Sequence, residues 1–140
     1  MGVREYTTGD LSSVRAMMSE LHGRELADFD PRTVRQGWKS IVYDDPEIGI
    51  VGFLLGSFVD YGIAHEGGGM IEQLVVTDLA RNHGVGSELV SAWQQWLGDE
   101  GITLGFVPFE EGSEAARFYE SRGFTACKGP WLVWSEATHA

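Results

Sequence analysis

Residues 69–90 have the sequence GMIEQLVVTDLARNHGVGSELV, in which a strand pattern breaks into a glycine-bearing turn that opens a helix. Residues 70–76 are almost continuously apolar, which is typical of a strand buried on both faces in the centre of a sheet. Gly84 and Gly86 interrupt that pattern, and an apolar series at helical spacing begins at Leu89. The rest of the chain is predicted to support this strand, turn and helix.

The composition predicts one soluble globular domain. The chain has 140 residues, of which 43% are hydrophobic, enough for a single sizeable core, so we expect one domain over residues 1–140. The longest charge-free apolar run, residues 48–59, is too short to span a bilayer, and the N-terminus lacks the apolar region of a signal peptide. Cys127 is the single cysteine, which excludes an intrachain disulfide and a cysteine-based zinc site. These features predict a cytoplasmic protein.

The net charge indicates which kinds of partner the chain is expected to bind. The chain has 10 Lys and Arg residues against 21 Asp and Glu residues, which gives a formal net charge of −11. Such a charge repels phosphate backbones and anionic lipid, so neither nucleic acid nor a membrane is expected as a partner. A cationic or amine-bearing partner fits better.

The remaining pattern predicts four helices and seven strands. The helices are residues 10–22, a short helix that starts at Asp30 and Pro31 and buries Val34 and Trp38, the helix that carries Leu89 and stops at Gly98, and residues 113–122. The strands are residues 3–7, 40–43, 49–61, 70–76, 102–107, 124–127 and 131–134. The second and third of these strands are expected to form a hairpin, and Pro108 is expected to end the fifth.

The turn before Leu89 has features of an anion-binding site. The first N–H groups of a helix have no intrahelical partner, and glycine lets the backbone approach a phosphate closely. Arg81 adds a positive charge. A tight turn alone explains the two glycines equally well. The pattern fits neither a Walker loop, which needs Gly-Lys-Ser/Thr, nor a dinucleotide fingerprint, whose third glycine position holds Leu89.

Two blocks of this sequence resemble one family. Arg81, Gly84 and Gly86 form R-x-x-G-x-G after an apolar strand and before a helix, which resembles the acyl-CoA pyrophosphate loop of the GNAT superfamily of acetyl-CoA-dependent N-acetyltransferases. Residues 115–124, AARFYESRGF, are similar to the A-x-x-F-Y-x-x-x-G-F signature on the last main helix of that family. The resemblance covers essentially the whole chain. It implies an α/β (α+β) fold with a mixed, mostly antiparallel central sheet of six to seven strands and about four flanking helices.

The resemblance implies a site for acetyl-CoA as co-substrate, with no metal. Leu74, Val75 and Val76 match the strand whose backbone pairs with the pantetheine arm, at the point where this strand and residues 102–107 diverge. The pyrophosphate loop of the family matches seven consecutive positions: Arg81, Asn82, His83, Gly84, Val85, Gly86 and Ser87.

Two side chains match catalytic positions of the family. Tyr119 matches the tyrosine that, in many members, protonates the leaving thiolate as a general acid. Glu72 matches an acidic position that some small-amine acetyltransferases use to remove the proton of the amine; the alternative is a solvated residue at the rim of the sheet. The Val76 amide is the expected donor to the thioester oxygen. Gly112 departs from the family pattern, since many members have Asn there.

The function implied is transfer of the acetyl group of acetyl-CoA to a primary amine of a small molecule, by direct attack in a ternary complex. The excess of acidic residues points to a cationic acceptor. A non-catalytic acyl-CoA sensor and a protein N-acetyltransferase are the alternatives. Residues 131–134, WLVW, are apolar enough for a homodimer formed through the closing strands, although a buried internal strand has the same pattern.

Overall fold

A computed structural model describes residues 2–31, 38–59, 68–109 and 112–126. The chain divides into two compact units, Met1–Pro108 and Phe109–Ala140. The first unit contains β1 (Gly2–Glu5), α1 (Leu11–His22), β2 (Trp38–Asp45), β3 (Gly49–Val59), β4 (Gly68–Val76), α2 (Val85–Asp99) and β5 (Gly105–Phe106). The second unit contains α3 (Glu114–Ser121).

The five strands form one sheet in chain order. The pairs from β1 to β4 are antiparallel, and β4 and β5 are parallel, so the predicted mixed, mostly antiparallel sheet is confirmed. The described residues contain five strands and three α-helices, fewer than the six to seven strands and about four helices predicted. Most of the predicted helix after Asp30 and the whole of the predicted strand 131–134 lie outside the described residues.

Three of the predicted elements are wrong in part. Trp38 is the first residue of β2 and not part of the buried face of a helix. β5 is only two residues long, because the N–H of Ile102 still donates to the last turn of α2 (2.8 Å). Residues 124–126 form no strand, because the chain turns back after α3 and the Phe124 N–H donates to the Tyr119 carbonyl (3.1 Å).

One face of the sheet packs against α1. This helix buries three apolar side chains at helical spacing: Val14, Met17 and Met18. They join Phe53 and Leu55 of β3 in one core cluster. The amphipathic pattern predicted for residues 10–22 therefore faces the sheet as expected.

The opposite face of the sheet packs against α2, and glycines make the contact close. A Cβ added at Gly56 would lie 2.6 Å from the Trp93 ring, and one at Gly52 would lie 2.8 Å from Val85. These glycines alternate along β3 with the residues that face α1, so the two helices cover opposite faces. Trp93 is only 2% exposed.

An ion-pair network ties β1, the start of α1 and β2 together. Arg4 binds both carboxylate oxygens of Asp10 (Nη1–Oδ2 2.8 Å, Nη2–Oδ1 2.9 Å), and its Nη2 also donates to Asp44 Oδ2 (3.0 Å). Asp10 is buried and accepts the backbone N–H of Thr7 (2.8 Å). The hydrogen bonds from Arg4 hold the pKa of Asp10 below its ordinary value, although burial acts in the opposite direction.

Gly56→Ala tests the close contact between α2 and the sheet. The new methyl group meets the Trp93 ring at 2.6 Å, and the buried ring has little room to withdraw. We expect the free energy of unfolding to fall by about 1–3 kcal/mol, as measured by chemical denaturation. Gly98→Ala is the matched control, because Gly98 lies in α2 with open space around its Cβ position, and alanine favours a helix by up to ~1 kcal/mol. Equal losses in the two variants would contradict the packing described.

Asp10→Asn tests the ion-pair network through pH. Because the pKa of Asp10 is lowered in the folded protein, its carboxylate contributes fully to stability above the ordinary value of 3.8, and the contribution is lost as the pH falls from there toward the lowered value. We expect the substitution to cost about 1–3 kcal/mol near neutral pH and progressively less below about pH 4.

Unfolding curves of the wild type and Asp10→Asn over a pH series give this difference directly. Asp28→Asn is the control, because Asp28 is exposed and its replacement should leave stability unchanged throughout. A difference between the wild type and Asp10→Asn that stays constant through the acidic range would contradict the assigned role of the Asp10 carboxylate.

Candidate active site

The sheet opens between β4 and β5. The two strands pair only through residues 69 and 70 of β4 with residues 105 and 106 of β5. Continuing that register would place Pro108 beside Glu72, and proline has no N–H to give to a ladder. Among the described residues no further strand pairs with this side of β4. The divergence expected beside residues 74–76 is therefore present.

Backbone groups of Leu74 and Val76 point to this opening. The N–H of Thr77 donates to the Val51 carbonyl of β3 (2.9 Å), and successive residues of a strand direct their backbone groups to opposite sides. The N–H groups of Val76 and Leu74 therefore point away from β3, whereas Val75 pairs with it. An extended ligand that lies along the opening would meet backbone donors and acceptors, as an added strand does.

The turn between β4 and α2 presents backbone N–H groups. Asn82 (φ 65°) and Gly84 (φ 84°) have left-handed backbone conformations, and Gly84 is the N-cap of α2. The first bond of the helix runs from the Glu88 N–H to the Gly84 carbonyl (3.0 Å), which leaves the N–H groups of residues 85–87 outside the helical ladder. Such a helix N-terminus attracts phosphate.

Arg81 links this turn to the end of β4. Its Nε donates to the Val76 carbonyl (3.3 Å), and its Nη1 forms an ion pair with Asp78 Oδ1 (3.0 Å). The side chain is 60% exposed, so the guanidinium is accessible to an anion in solution. Asn82 and His83 are exposed as well.

A cavity of about 230 Å³ lies between α1, the end of β4 and the turn. Three of its lining residues belong to the predicted site: Val75, Val76 and Arg81. No sequence pattern predicted the other five lining residues: Met17, Glu20, Leu21, Thr77 and Asp78. The residues of α1 carry no local signal for this role, because it depends on how the helix packs on the sheet.

Glu72 occupies a β-bulge. Its neighbours Ile71 and Gln73 lie opposite consecutive residues of β3, which leaves Glu72 without a Cα partner. Bulges end regular pairing and redirect a side chain, and they are frequent beside active sites. The carboxylate is half-buried and its Oε1 accepts a hydrogen bond from Ser57 Oγ (2.8 Å). Glu72 is thus held in a defined position, and its role as a base stays a prediction.

Tyr119 lies in α3, in the second unit. It is 6% exposed, and its ring packs edge-on against Phe118 and Phe124, with ring centroids 5.1 Å and 5.3 Å away. Burial raises the pKa of Tyr119 to about 12. The phenol therefore keeps its proton at physiological pH, as a general acid must, and its catalytic role stays a prediction.

Residues 37–126 match the model of the family described as the acetyltransferase (GNAT) domain. That match spans more than half of the chain. The chain belongs to the GNAT family. It is therefore an acyltransferase, and GNAT acetyltransferases use acetyl-CoA as the acyl donor. No curated protein matches the chain.

Several solved structures share the fold of this GNAT chain. An acetyltransferase from Trypanosoma brucei is 23% identical with a TM-score of 0.77, and the match covers 95% of this chain and 98% of that chain. A transcriptional regulator from Bacillus halodurans is 24% identical with a TM-score of 0.75, over 94% and 98% of the two chains. An aminoglycoside acetyltransferase from an uncultured soil metagenomic sample, in complex with trehalose, is 18% identical with a TM-score of 0.74, over 95% and 93%.

The GNAT chain presents groups that fit an acyl-CoA. An extended arm needs backbone partners, and residues 74 and 76 direct such groups into the opening of the sheet. A pyrophosphate needs donors and positive charge, which the start of α2 and Arg81 present. Thr77 also belongs to the lining of the cavity, and its buried Oγ1 has no hydrogen-bond partner among the described residues.

The described part of this GNAT chain contains neither a metal-binding cluster nor a membrane-spanning helix. Its His, Cys, Asp and Glu side chains form no group of three or more that has the arrangement of a metal site. None of its helices is long and apolar enough to cross a membrane.

Gly84→Ala tests the turn as an anion site. Gly84 has a φ of 84° with open space around its Cβ position, so alanine adds backbone strain of roughly 1–2 kcal/mol and displaces the N–H groups at the start of α2. We expect the affinity for CoA, measured by calorimetry, to fall roughly tenfold, which is about 1.4 kcal/mol.

Gly101→Ala is the matched control for this prediction. Gly101 follows the other end of α2 with a φ of 76° and equally open surroundings, so its replacement adds similar strain but should leave CoA affinity unchanged. If both variants lost affinity equally, or neither did, the turn would not be the anion site.

Proposed function

We propose that the protein transfers the acetyl group of acetyl-CoA to a primary amine of a small, cationic molecule, with both substrates bound at once. The observation that carries this proposal is the opening of the sheet beside β4. There, the backbone groups of Leu74 and Val76 point away from β3, next to a cavity that also reaches Arg81.

The chain holds the donor through its backbone. Leu74 and Val76 pair with the extended arm, and the N–H groups of residues 85–87 bind the pyrophosphate together with Arg81. Asn82, His83 and Gly84 shape the turn, and the side chain of Val85 fixes α2 to the sheet, because it packs where a Cβ at Gly52 would lie. These contacts orient the reacting end toward the bulge in β4.

When bound, acetyl-CoA supplies a thioester carbonyl that a neutral amine can attack. Glu72 accepts a proton from the ammonium form of the acceptor, either directly or through water, and so produces that neutral amine. Tyr119 gives its proton to the departing thiolate. The proton that the attacking nitrogen still carries then passes through water to the Tyr119 phenolate, which is a strong base because burial raises the pKa of Tyr119 to about 12, and the phenol is restored.

A cationic acceptor is supported by charge. The chain carries a net charge of −11, which raises the local concentration of cations around it. The structural neighbour named as an aminoglycoside acetyltransferase is a precedent for an amine-bearing acceptor on this fold. Transfer to a protein N-terminus is the second candidate, and no described residue favours it.

The departure from the family pattern at Gly112 does not require a non-catalytic sensor. Its φ is 78°, a left-handed conformation that glycine adopts at little cost, and its carbonyl accepts a hydrogen bond from Arg117 Nη1 (2.9 Å). The turn before α3 therefore gives this glycine a structural reason of its own.

The domain organisation, the cellular location and the oligomeric state are part of the same proposal. We take residues 1–140 as one catalytic domain that acts in the cytoplasm. A homodimer formed through residues 131–134 is part of this proposal, and these residues, like Cys127, lie outside the described ranges.

Release of free thiol from acetyl-CoA in the presence of a panel of amines tests the function. We expect thiol release that depends on the amine, with polyamines and aminosugars ahead of neutral amines, and a matching gain of one acetyl group in the acceptor mass. Tyr119→Phe should lower turnover by roughly 10²–10⁴-fold with little change in CoA affinity, because the hydroxyl acts only in the reaction.

Tyr43→Phe is the matched control, since it removes the same hydroxyl from β2 and should leave turnover unchanged. Binding of CoA without thiol release for any amine would contradict the proposed function. Full turnover of Tyr119→Phe would contradict only the role of this tyrosine.

A further inference from the structure

The feature that carries a further inference is the contact between β3 and the bulge in β4. Ser57 Oγ donates a hydrogen bond to Glu72 Oε1 across the two strands, at 2.8 Å. Both side chains are half-buried. The distance is that of an ordinary O–H···O hydrogen bond, and the hydroxyl is the donor because an ionised carboxylate can only accept.

The register explains why the two side chains meet. Phe53 and Leu55 belong to the core cluster on the α1 face, and side chains alternate along a strand, so Ser57 continues the same row. Ser57 is paired with Met70 of β4, and Glu72 follows Met70 by two residues, so both lie on the same face of the strand. The Glu72 carboxylate therefore reaches the Ser57 hydroxyl diagonally across the two strands, on the α1 face.

The bulge also leaves Glu72 in need of a partner. A residue outside the regular ladder is not aligned by cross-strand pairing, and a Glu side chain has three rotatable bonds that a base must restrict. Ser57 engages one carboxylate oxygen and leaves the other available for the proton of an amine or for a bridging water.

We propose that Ser57 is a positioning residue, which fixes the Glu72 carboxylate so that its second oxygen can accept the proton of the acceptor amine. This inference rests on the proposed function and names a residue that no family motif marks. Ser57 touches neither substrate. It acts through Glu72 alone, and this separates it from a serine that only completes a hydrogen bond in the sheet.

A double-mutant cycle tests this inference. We expect Ser57→Ala to lower kcat about tenfold with CoA affinity within twofold of the wild type, and Ser57→Thr to restore most of the rate because it keeps the hydroxyl. In the Glu72→Gln background, Ser57→Ala should cause no further loss, since both changes remove one function. Losses that multiply in the double variant would overturn the proposal, as would full activity of Ser57→Ala.

Ser40→Ala provides a matched control. Ser40 lies on β2 opposite Leu55, and its buried Oγ has no hydrogen-bond partner within the described residues, so we expect the rate to be unchanged. Thermal unfolding of every variant identifies any that fail to fold. If Ser57→Ala does not fold, Ser57→Cys and Ser57→Thr carry the same comparison, because cysteine is a much weaker donor than a hydroxyl.

An NMR measurement that does not depend on turnover tests the role of Ser57 separately from the proposed function. In protein labelled with ¹³C at the glutamate carboxyls, the Glu72 signal is assigned by its loss in Glu72→Gln. This signal should shift in Ser57→Ala and return toward the wild-type position in Ser57→Thr. An unshifted signal would overturn the role of Ser57 even in an active enzyme. A shifted signal in a protein that acetylates no amine would overturn the proposed function and, with it, the catalytic meaning of the contact.

Discussion

Glycines on three neighbouring strands let the side chains of α2 lie directly against the backbone of the sheet. Cβ atoms at these positions would come within 2.4–2.8 Å of α2 side chains: Gly52, Gly56, Gly69 and Gly105. One of the contacts fixes the geometry of the site, because Val85 and Leu89 at the start of α2 pack on Gly52, and Gly52 pairs with Val76 at the end of β4. The start of the helix and the end of the strand are therefore held side by side.

Two interruptions of regular pairing then create a surface for a ligand. The pairing of β5 with β4 ends at Phe106, shortly before Pro108, which has no N–H to continue it, and the bulge at Glu72 breaks the register of β4 with β3. Beyond Glu72, one side of β4 directs backbone groups into the opening, and the turn proposed to bind the pyrophosphate follows directly in the chain. The proposed binding of acyl-CoA thus depends mainly on backbone groups of β4 that the sheet leaves unpaired.

Local sequence patterns predicted much of this arrangement, whereas features that depend on contacts between distant residues were not predicted. The apolar run at residues 71–76 and the glycine turn fixed the central strand and the start of α2, because both depend on neighbours in sequence. The bulge could not be predicted, since it is a property of the register between two strands. The contributions of Met17 and Leu21 to the cavity depend on how α1 packs. Trp38 was misassigned because an aromatic residue at helical spacing from Val34 also suits the first position of a strand.

The most direct test of the proposed site is a titration of ¹⁵N-labelled protein with CoA, followed by amide chemical shifts. The largest shifts should occur at Leu74 and Val76 and at residues 84–88, with Val75 less affected because its N–H bonds to β3. Residues of β1, which lies at the other edge of the sheet, should not move. Saturable CoA binding that leaves the amides of β4 and of the turn unshifted would contradict the site proposed for this GNAT chain.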